Sequence, residues 1–373
     1  MNFLRDRIAA LHVSFKEEKY SGGMKVLVTG GAGYIGSHTI VGLLDAGHDV
    51  VVVDNLVTSS GKSIARVTKM TGKEVALYAL DIFDRGSLES VFREHVFDAV
   101  IHFAALKAVG NSVARPLSYY QNNVAATIAL LHVMESAGVK RLVYSSSACV
   151  YGKPEKNPVT EDAPLNPENP YGHTKVVIEN MLRNVAASGS DWSFTSLRYF
   201  NPIGAHESGF IGDDQRDAPE NLLPYVEQVA VGKRPHLMIF GDDYDTPDGT
   251  CIRDYIHIMD LSSAHVSALE HIEHPNEYKV YNISTGKGTS VFEVHAAYEQ
   301  ASGRKIPFVV TKRRDGDVQE YYGDPSLAQK EIGWKATRSI LQGCEDSWRW
   351  KKQNPDGYAS PYPRFVHRER EKV

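Results

Sequence analysis

The stretch Lys25–Asp54, KVLVTGGAGYIGSHTIVGLLDAGHDVVVVD, decides how the rest of the chain is read. It opens with a short apolar run, Val26-Leu27-Val28, which predicts a buried parallel strand. A glycine turn follows, with Gly30, Gly33 and Gly36 three apart. Ile35, Ile40, Leu43 and Leu44 then fall roughly on one face of a helix that closes at Gly47. A second strand, Val50 to Val53, ends on Asp54. Glycines so placed allow a tight turn, close approach of backbone to a pyrophosphate, and close packing of helix on strand. The first helical turn offers unpaired N–H groups and the positive end of a dipole to phosphates. An acid about 20 residues beyond the glycines bonds ribose hydroxyls and repels a 2′-phosphate, so NAD is expected rather than NADP. The bland alternative is a glycine-rich turn with no ligand. The flanking strand and helix, and the acid closing the next strand, weigh against it.

At 373 residues the chain is long enough for two lobes. Its 42% hydrophobic and 23% charged content is that of an ordinary soluble globular protein. A net charge of −5, with no dense basic run, argues against a nucleic-acid partner. No apolar segment approaches the length of a membrane span, so no membrane is expected. Cys149, Cys251 and Cys344 are far apart and odd in number, which fits a reducing, cytoplasmic setting rather than a disulfide framework. No His/Cys cluster has metal-binding spacing, so no metal is expected.

Residues 1–23 precede the first strand. Leu4, Ile8, Leu11 and Phe15 suit a short amphipathic helix. The segment lacks the apolar core of a secretory signal and, with Met24 beside the strand, reads as a dispensable extension or the product of an upstream start. Beyond Asp54 helices and strands alternate: helix 60–71, strand 75–79, helix 86–94, strand 99–103, a long helix 117–137 and strand 141–146. After a proline-rich loop (153–170) come a helix at 171–188 and a strand at 193–198. This pattern predicts an α/β fold, a doubly wound parallel (Rossmann) sheet with ligands at the carboxyl ends of its strands. Past about residue 200 the alternation lapses into loops and short helices such as 260–271 and 291–301. We expect a dinucleotide-binding domain over 24–200, a smaller mixed α/β substrate lobe over 201–355 interleaved with it, and a tail over 356–373. Gly61-Lys62-Ser63 imitates the end of a phosphate-binding loop, but Leu56 stands where that loop requires glycine.

Tyr171-Gly-His-Thr-Lys175 opens a helix, since Asn169 can cap it and Pro170 suits its first position. The i, i+4 spacing puts phenol and ammonium on one face. A phenol titrates near 10, so acting as a base near neutrality requires about three units, or ~4 kcal/mol. A cation ~4 Å away at an effective dielectric near 20 is worth ~4 kcal/mol, so Lys175 nearly suffices. An exposed helix pair is the alternative. It weakens because Ser147, ending the preceding strand, completes a Ser/Tyr/Lys set.

The Gly-x-x-Gly-x-x-Gly turn and this set resemble the extended short-chain dehydrogenase/reductase group. The resemblance sharpens with VTGGAGYIGSHT, HFAALKAVGNSV, SSSACVYG, NPYGHTK, LRYFNPIGAHESG, NLLPYVEQVAVGK, DGTCIRDYIHIMDL and KRRDGD. Together, over about residues 25–350, they look like the UDP-glucose 4-epimerase family. The resemblance implies NAD contacts at Gly30, Gly33, Tyr34, Ile35, Gly36, Asp54, Asn55, Asp81, Ile82, Phe103, Ala104, Lys107, Asn122 and Phe200, besides Ser147, Tyr171 and Lys175. It implies that Lys107, Ser147, Tyr171 and Asn201 meet the sugar or its diphosphate. Asn221, Leu222, Phe240, Arg253, Tyr255, Arg314 and Asp317 would cradle uridine diphosphate, with Tyr321 flanking the hexose. Two arginines can fork onto a diphosphate, which agrees. Ala105, Asn111 and Cys149 replace the family's common glycine, glutamate and threonine.

The implied reaction interconverts UDP-glucose and UDP-galactose. Tyr171 takes the proton of the 4-hydroxyl, hydride passes reversibly between C4 and tightly bound NAD, and the 4-keto sugar turns before hydride returns. The long helix at 117–137 resembles the family's dimer-forming element, so a homodimer is expected. A nucleotide-sugar 4,6-dehydratase would need an Asp-Glu pair where Ala148 and Cys149 stand. A non-catalytic NAD sensor would have no need of Ser147, Tyr171 and Lys175 together.

Overall fold

The computed structural model describes residues 23–215, 219, 221–272, 274–314 and 316–358. The amphipathic segment expected before Gly23, and the tail from residue 359, lie outside the described residues. The chain starts with β1 (Lys25–Thr29), α1 (Tyr34–Asp45), β2 (Asp49–Val53), α2 (Gly61–Thr71), β3 (Ala76–Tyr78), α3 (Arg85–Glu94) and β4 (Ala99–His102). After α4 (Val109–Ala114), the long helix is composite. It runs through α5 (Pro116–Tyr119), a π-helical turn at Tyr120–Ala125, and α6 (Ala126–Ser136). Next come β5 (Arg141–Ser147), a short 3-10 turn at Ala148–Val150, α7 (Pro170–Ala186) and β6 (Ser193–Tyr199). The second half holds β7 (Asn201–Ile203), α8 (Leu222–Ala230), β8 (Leu237–Phe240), β9 (Ile252–Arg253), β10 (Tyr255–His257) and α9 (Ile258–Glu270). It finishes with β11 (Glu277–Ile283), β12 (Thr289–Ser290), α10 (Val291–Ser302), β13 (Phe308–Thr311), β14 (Glu320–Tyr321), α11 (Ser326–Ile332) and α12 (Ile340–Gln353).

Seven parallel strands form the main sheet in the order β11-β6-β5-β4-β1-β2-β3. Val26 and Val28 face one core with α1, while Leu27 faces the other with α3 and α6. A strand covered on both faces has no polar side, which is why its sequence is an unbroken apolar run. The order reverses at β1 and β4, so the crevice outside their carboxyl ends opens beside the glycine turn.

One expectation needs revision. The alternation that lapses near residue 200 resumes at α9 and β11, and both belong to the main sheet layer. Ser262 of α9 donates to the His38 carbonyl of α1 at 2.9 Å. Strand β11 pairs with β6 from Glu277↔Ser193 to Ile283↔Tyr199. Its sequence, EYKVYNI, mixes charge with apolar residues because its first four positions are only half-buried, and so it hides among loops. Among the described residues, the remaining late strands make three small sheets, and a separate core there includes Ile203, Leu223, Ile239, Val294 and Tyr298.

Candidate active site

The glycine turn fits a dinucleotide pyrophosphate. Helix α1 starts from Gly33 with no capping side chain and no acid in its first turn, leaving its first N–H groups for a ligand. Gly30 has φ +70°, and a Cβ there would stand 2.6 Å from the Ala104 nitrogen. Asp54 closes β2 as predicted, and its carboxylate already braces the crevice. It accepts from Ala32 N at 3.0 Å, Leu56 N at 2.9 Å and the Ser59 hydroxyl at 2.7 Å. Asn55 donates to Asp81 at 3.1 Å, so these two are brought together. Ile82 is buried, and Phe103 leans on His265 with ring centres 4.7 Å apart. The Tyr34 hydroxyl turns away to the Gly204 carbonyl at 2.6 Å, tying α1 to the chain beyond β7. Lys107 is exposed and Ile35 and Asn122 are half-buried.

Ser147, Tyr171 and Lys175 meet where β5 ends and α7 begins. Asn169 caps α7 by accepting from Gly172 N at 2.9 Å, and Pro170 takes its first turn, as expected. Gly172 is required on this turn, since a Cβ there would lie 2.7 Å from the Cys149 carbonyl. Lys175 Nζ donates to the Ser145 carbonyl at 2.6 Å and lies 5.6 Å from the centre of the Tyr171 ring. The electrostatic balance differs from the sequence-based reckoning. Burial raises the Tyr171 phenol well above its ordinary range, and a hydrogen bond with Ser147 works against that rise. Burial also lowers the Lys175 ammonium to about 7. Burial thus works against the very charge that the spacing argument counted on, so the pull on Tyr171 depends on what holds the proton on Lys175.

A second cluster gathers on the small sheets. Asp317 accepts two bonds from Arg314, at 2.9 and 3.2 Å, and stands 3.7 Å from Arg253. Arg314 also lies over Phe240, 4.7 Å from its ring centre. Two guanidiniums share one carboxylate, so the cluster keeps a positive excess suited to a diphosphate. Tyr321 is the register partner of Arg253, and Tyr255 that of Asn201. Asn221 begins α8 without using its side chain as a cap, leaving its amide exposed beside Leu222. Tyr321 bridges the clusters. Its hydroxyl donates to the Ala148 carbonyl, and its ring meets Phe200 edge-on at 5.3 Å.

Sequence reasoning missed several supporting residues. The side chain of Asn123, in the π-helical turn, accepts from Leu106 N and donates to Leu106 O, at 2.8 and 3.0 Å, fixing the loop that carries Lys107. Buried Asp254 accepts from Thr285 and Gly286, while its carbonyl accepts from the Asn201 backbone N–H and side-chain amide. Asn122-Asn123 inside an apolar helix was the available signal for the first. The second left none, since it joins residues far apart in the chain.

A dinucleotide crevice with a serine–tyrosine–lysine centre at its mouth defines an enzyme that moves hydride and proton together at a hydroxyl-bearing carbon. Residues 26–284 match the model of the NAD dependent epimerase/dehydratase family. The chain belongs to that family. It is 52% identical to UDP-glucose 4-epimerase of Bacillus subtilis (strain 168) over 337 residues, 90% of this chain and 99% of that protein. Identity to UDP-glucose 4-epimerase 2 of Arabidopsis thaliana is 53% over 339 residues, 90% and 97% of the two chains. The crystal structure of the Stenotrophomonas maltophila UDP-glucose 4-epimerase, with bound NAD and formylated UDP-arabinopyranose, superposes with TM-score 0.87 at 47% identity. It covers 89% of this chain and 99% of that one. The Bifidobacterium longum enzyme with NAD+ and UDP gives 0.86 at 49%, covering 90% and 100%.

Proposed function

We propose that this chain interconverts UDP-glucose and UDP-galactose, an isomerase reaction at sugar C4, with Tyr171 as the base. The observation that carries the reading is the Tyr321 link, which binds the arginine-bearing sheet to the turn after Ser147 within one chain. NAD, held along the glycine turn, Asp54, Phe103 and Lys107, would supply the reversible hydride acceptor. Tyr171 accepts and returns the proton of the 4-hydroxyl. Ser147 orients that hydroxyl, and Lys175 supports the phenolate. Arg253 and Arg314 grip the diphosphate, with Asn201 and Asn221 orienting the ligand by their amides. The grip must be tight and the sugar loosely held, since the 4-keto sugar has to present both faces. Incubation with UDP-galactose and, separately, UDP-glucose, with products resolved by NMR, tests this. Convergence on one mixture from both sides is expected, and recovery of unchanged substrate overturns the reading.

Protein purified without added cofactor is expected to release NAD on denaturation, because the cycle returns the cofactor to its starting state. Recovery of NADP, or of no nucleotide from active enzyme, would refute the assignment of Asp54. Removing that carboxylate altogether would also strip three hydrogen bonds from the crevice. Asp54→Asn is therefore the cleaner variant, and its preference for NAD over NADP is expected to shrink, measured by reconstitution with each.

The free thiols of Cys149, Cys251 and Cys344 suit the cytoplasm. A homodimer is supported by the exposed apolar side chains of Leu117 and Ile128, 82% and 40% exposed, on the segment expected to pair. Covering a Leu is worth about 1.5–3 kcal/mol. Leu117→Glu is expected to weaken the dimer about tenfold or more by sedimentation equilibrium, and a monomeric wild type at micromolar concentration would refute the assignment.

A further inference from the structure

The helix that carries Tyr171 and Lys175 repeats its four-residue spacing once more, and the third residue on that face is Glu179. Glu179 is fully buried, and so is its partner Arg198 of β6. The contact is bidentate: Arg198 Nε lies 3.0 Å from Glu179 Oε1, and Nη2 2.6 Å from Oε2. The Ser146 hydroxyl donates to Oε1 at 2.5 Å. Arg198 Nη1 reaches the Tyr151 hydroxyl at 2.8 Å and the Glu161 carbonyl at 3.1 Å. Burying two charges is costly, and a well-packed apolar pair of similar volume is often as stable or more so. Stability is thus a weak reason for an ion pair directly behind a reaction centre.

Its position supplies a stronger one. Strand β5 lays three consecutive serines along the same helix face. The Ser145 carbonyl takes the Lys175 ammonium, the Ser146 hydroxyl takes the Glu179 carboxylate, and Ser147 sits close enough to Tyr171 to favour its ionised form. The charges around Lys175 can be followed element by element. On α7 stand Tyr171 and Glu179. From β5 comes Tyr144, its ring centre 4.9 Å from Nζ, and from the following turn Cys149; burial pushes both groups up, towards their neutral forms. From β4 comes His102, kept neutral by burial at about 3. From β6 come Tyr199, raised by burial, and Arg198, whose charge is matched by Glu179. Among these described neighbours, Glu179 alone brings a negative charge towards the ammonium.

We propose that Glu179 is a positioning residue for this reaction: clamped by Arg198 and Ser146, it is the buried counter-charge that keeps Lys175 protonated beside Tyr171. The proposal rests on Lys175 being the cation that supports the Tyr171 phenolate. Burial drives Lys175 down, and Glu179 is the largest influence in the other direction. Losing a negative neighbour lowers the pKa of a cation, so Lys175 would then release its proton at lower pH. The alkaline limb of the pH–rate profile would move down with it.

Glu179→Gln leaves Arg198 buried without a counter-charge, so Glu179→Gln/Arg198→Met is measured beside it. Two readouts are taken on the holoenzyme: kcat against pH with UDP-galactose, and titration of Lys175 by NMR of lysine labelled with carbon-13 at Cε. Lys175→Met assigns the signal. Both variants are expected to bind uridine diphosphate like the wild type, with Lys175 titrating about one unit lower and the alkaline limb following. Glu179→Asp is expected to restore part of the shift. An unchanged Lys175 titration in folded variants overturns the proposal. So does a double variant that cannot fold, because the pair then serves stability. A lowered titration in a protein that turns over no UDP-sugar upholds the counter-charge and sinks the functional assignment instead.

Discussion

Tyr171→Phe is expected to lower kcat about 10²–10⁴-fold while leaving uridine diphosphate affinity within a factor of about two. The first figure is the usual worth of a positioned general acid–base group. Phenylalanine keeps the ring and its packing and removes only the hydroxyl, the group proposed to exchange the proton, from its place beside Ser147. Affinity should hold because the arginine cluster sits on β9 and the loop before β14, in a different sheet from the strands that flank α7. Steady-state rates and calorimetric titration with uridine diphosphate check the two halves separately. Wild-type turnover in the Phe variant would remove Tyr171 from the mechanism. Lys175→Met should act on the same group from outside. Loss of the cation disfavours the phenolate, so the Tyr171 pKa rises and the ascending limb of the pH–rate profile moves to higher pH.

The second large effect concerns substrate choice at Tyr321. UDP-glucose and UDP-galactose are expected to exceed their N-acetyl counterparts in kcat/KM by about ten- to a hundredfold. The family resemblance sets Tyr321 beside the hexose, where a bulky ring would take the room that an acetamido group at C2 needs, and overpacking costs of ~1–3 kcal/mol give discrimination of that size. The ring is poorly placed to yield. Its hydroxyl is held by the Ala148 carbonyl, its ring by an edge-on contact with Phe200, and its backbone by pairing with β9. Tyr321→Cys is expected to admit the N-acetyl sugars, whereas Tyr322→Cys should not. The Tyr322 backbone, not its ring, makes the contacts with Asn157 and Val159. Equal efficiency of the wild type on UDP-glucose and UDP-N-acetylglucosamine would show that Tyr321 is no gate.

The local parts of this protein were legible in its sequence. Lys25–Asp54 reads as strand, turn, helix and strand because each is set by neighbours in the chain, and the cap at Asn169 with Tyr171 and Lys175 follows from helical spacing alone. Interactions between distant segments were not legible. Arg198 looks like the charged end of an ordinary strand until Glu179 is found opposite it. Strand β11 carries the charges of a half-buried edge and lacks the apolar run that announced β1. The balance at Tyr171 was misjudged because burial of both groups depends on the packed whole, which spacing does not contain. Resemblance to a family supplied the residues on the small sheets, where short strands and loops leave periodicity little to work with.

The late arrival of β11 has a consequence for how the chain is made. Strand β6 is buried along its whole length, and β11 forms one of its two neighbours. During synthesis β6 must therefore wait, with its edge bare, until residue 283 has left the ribosome. A bare apolar edge is a template for pairing with other chains. A product released at residue 200, although it contains the whole glycine turn and the tyrosine helix, is expected to aggregate. Adding β11 back through a linker after residue 200 should raise the soluble yield, measured after centrifugation. Equal solubility with and without the added strand would mean that the first six strands close on their own.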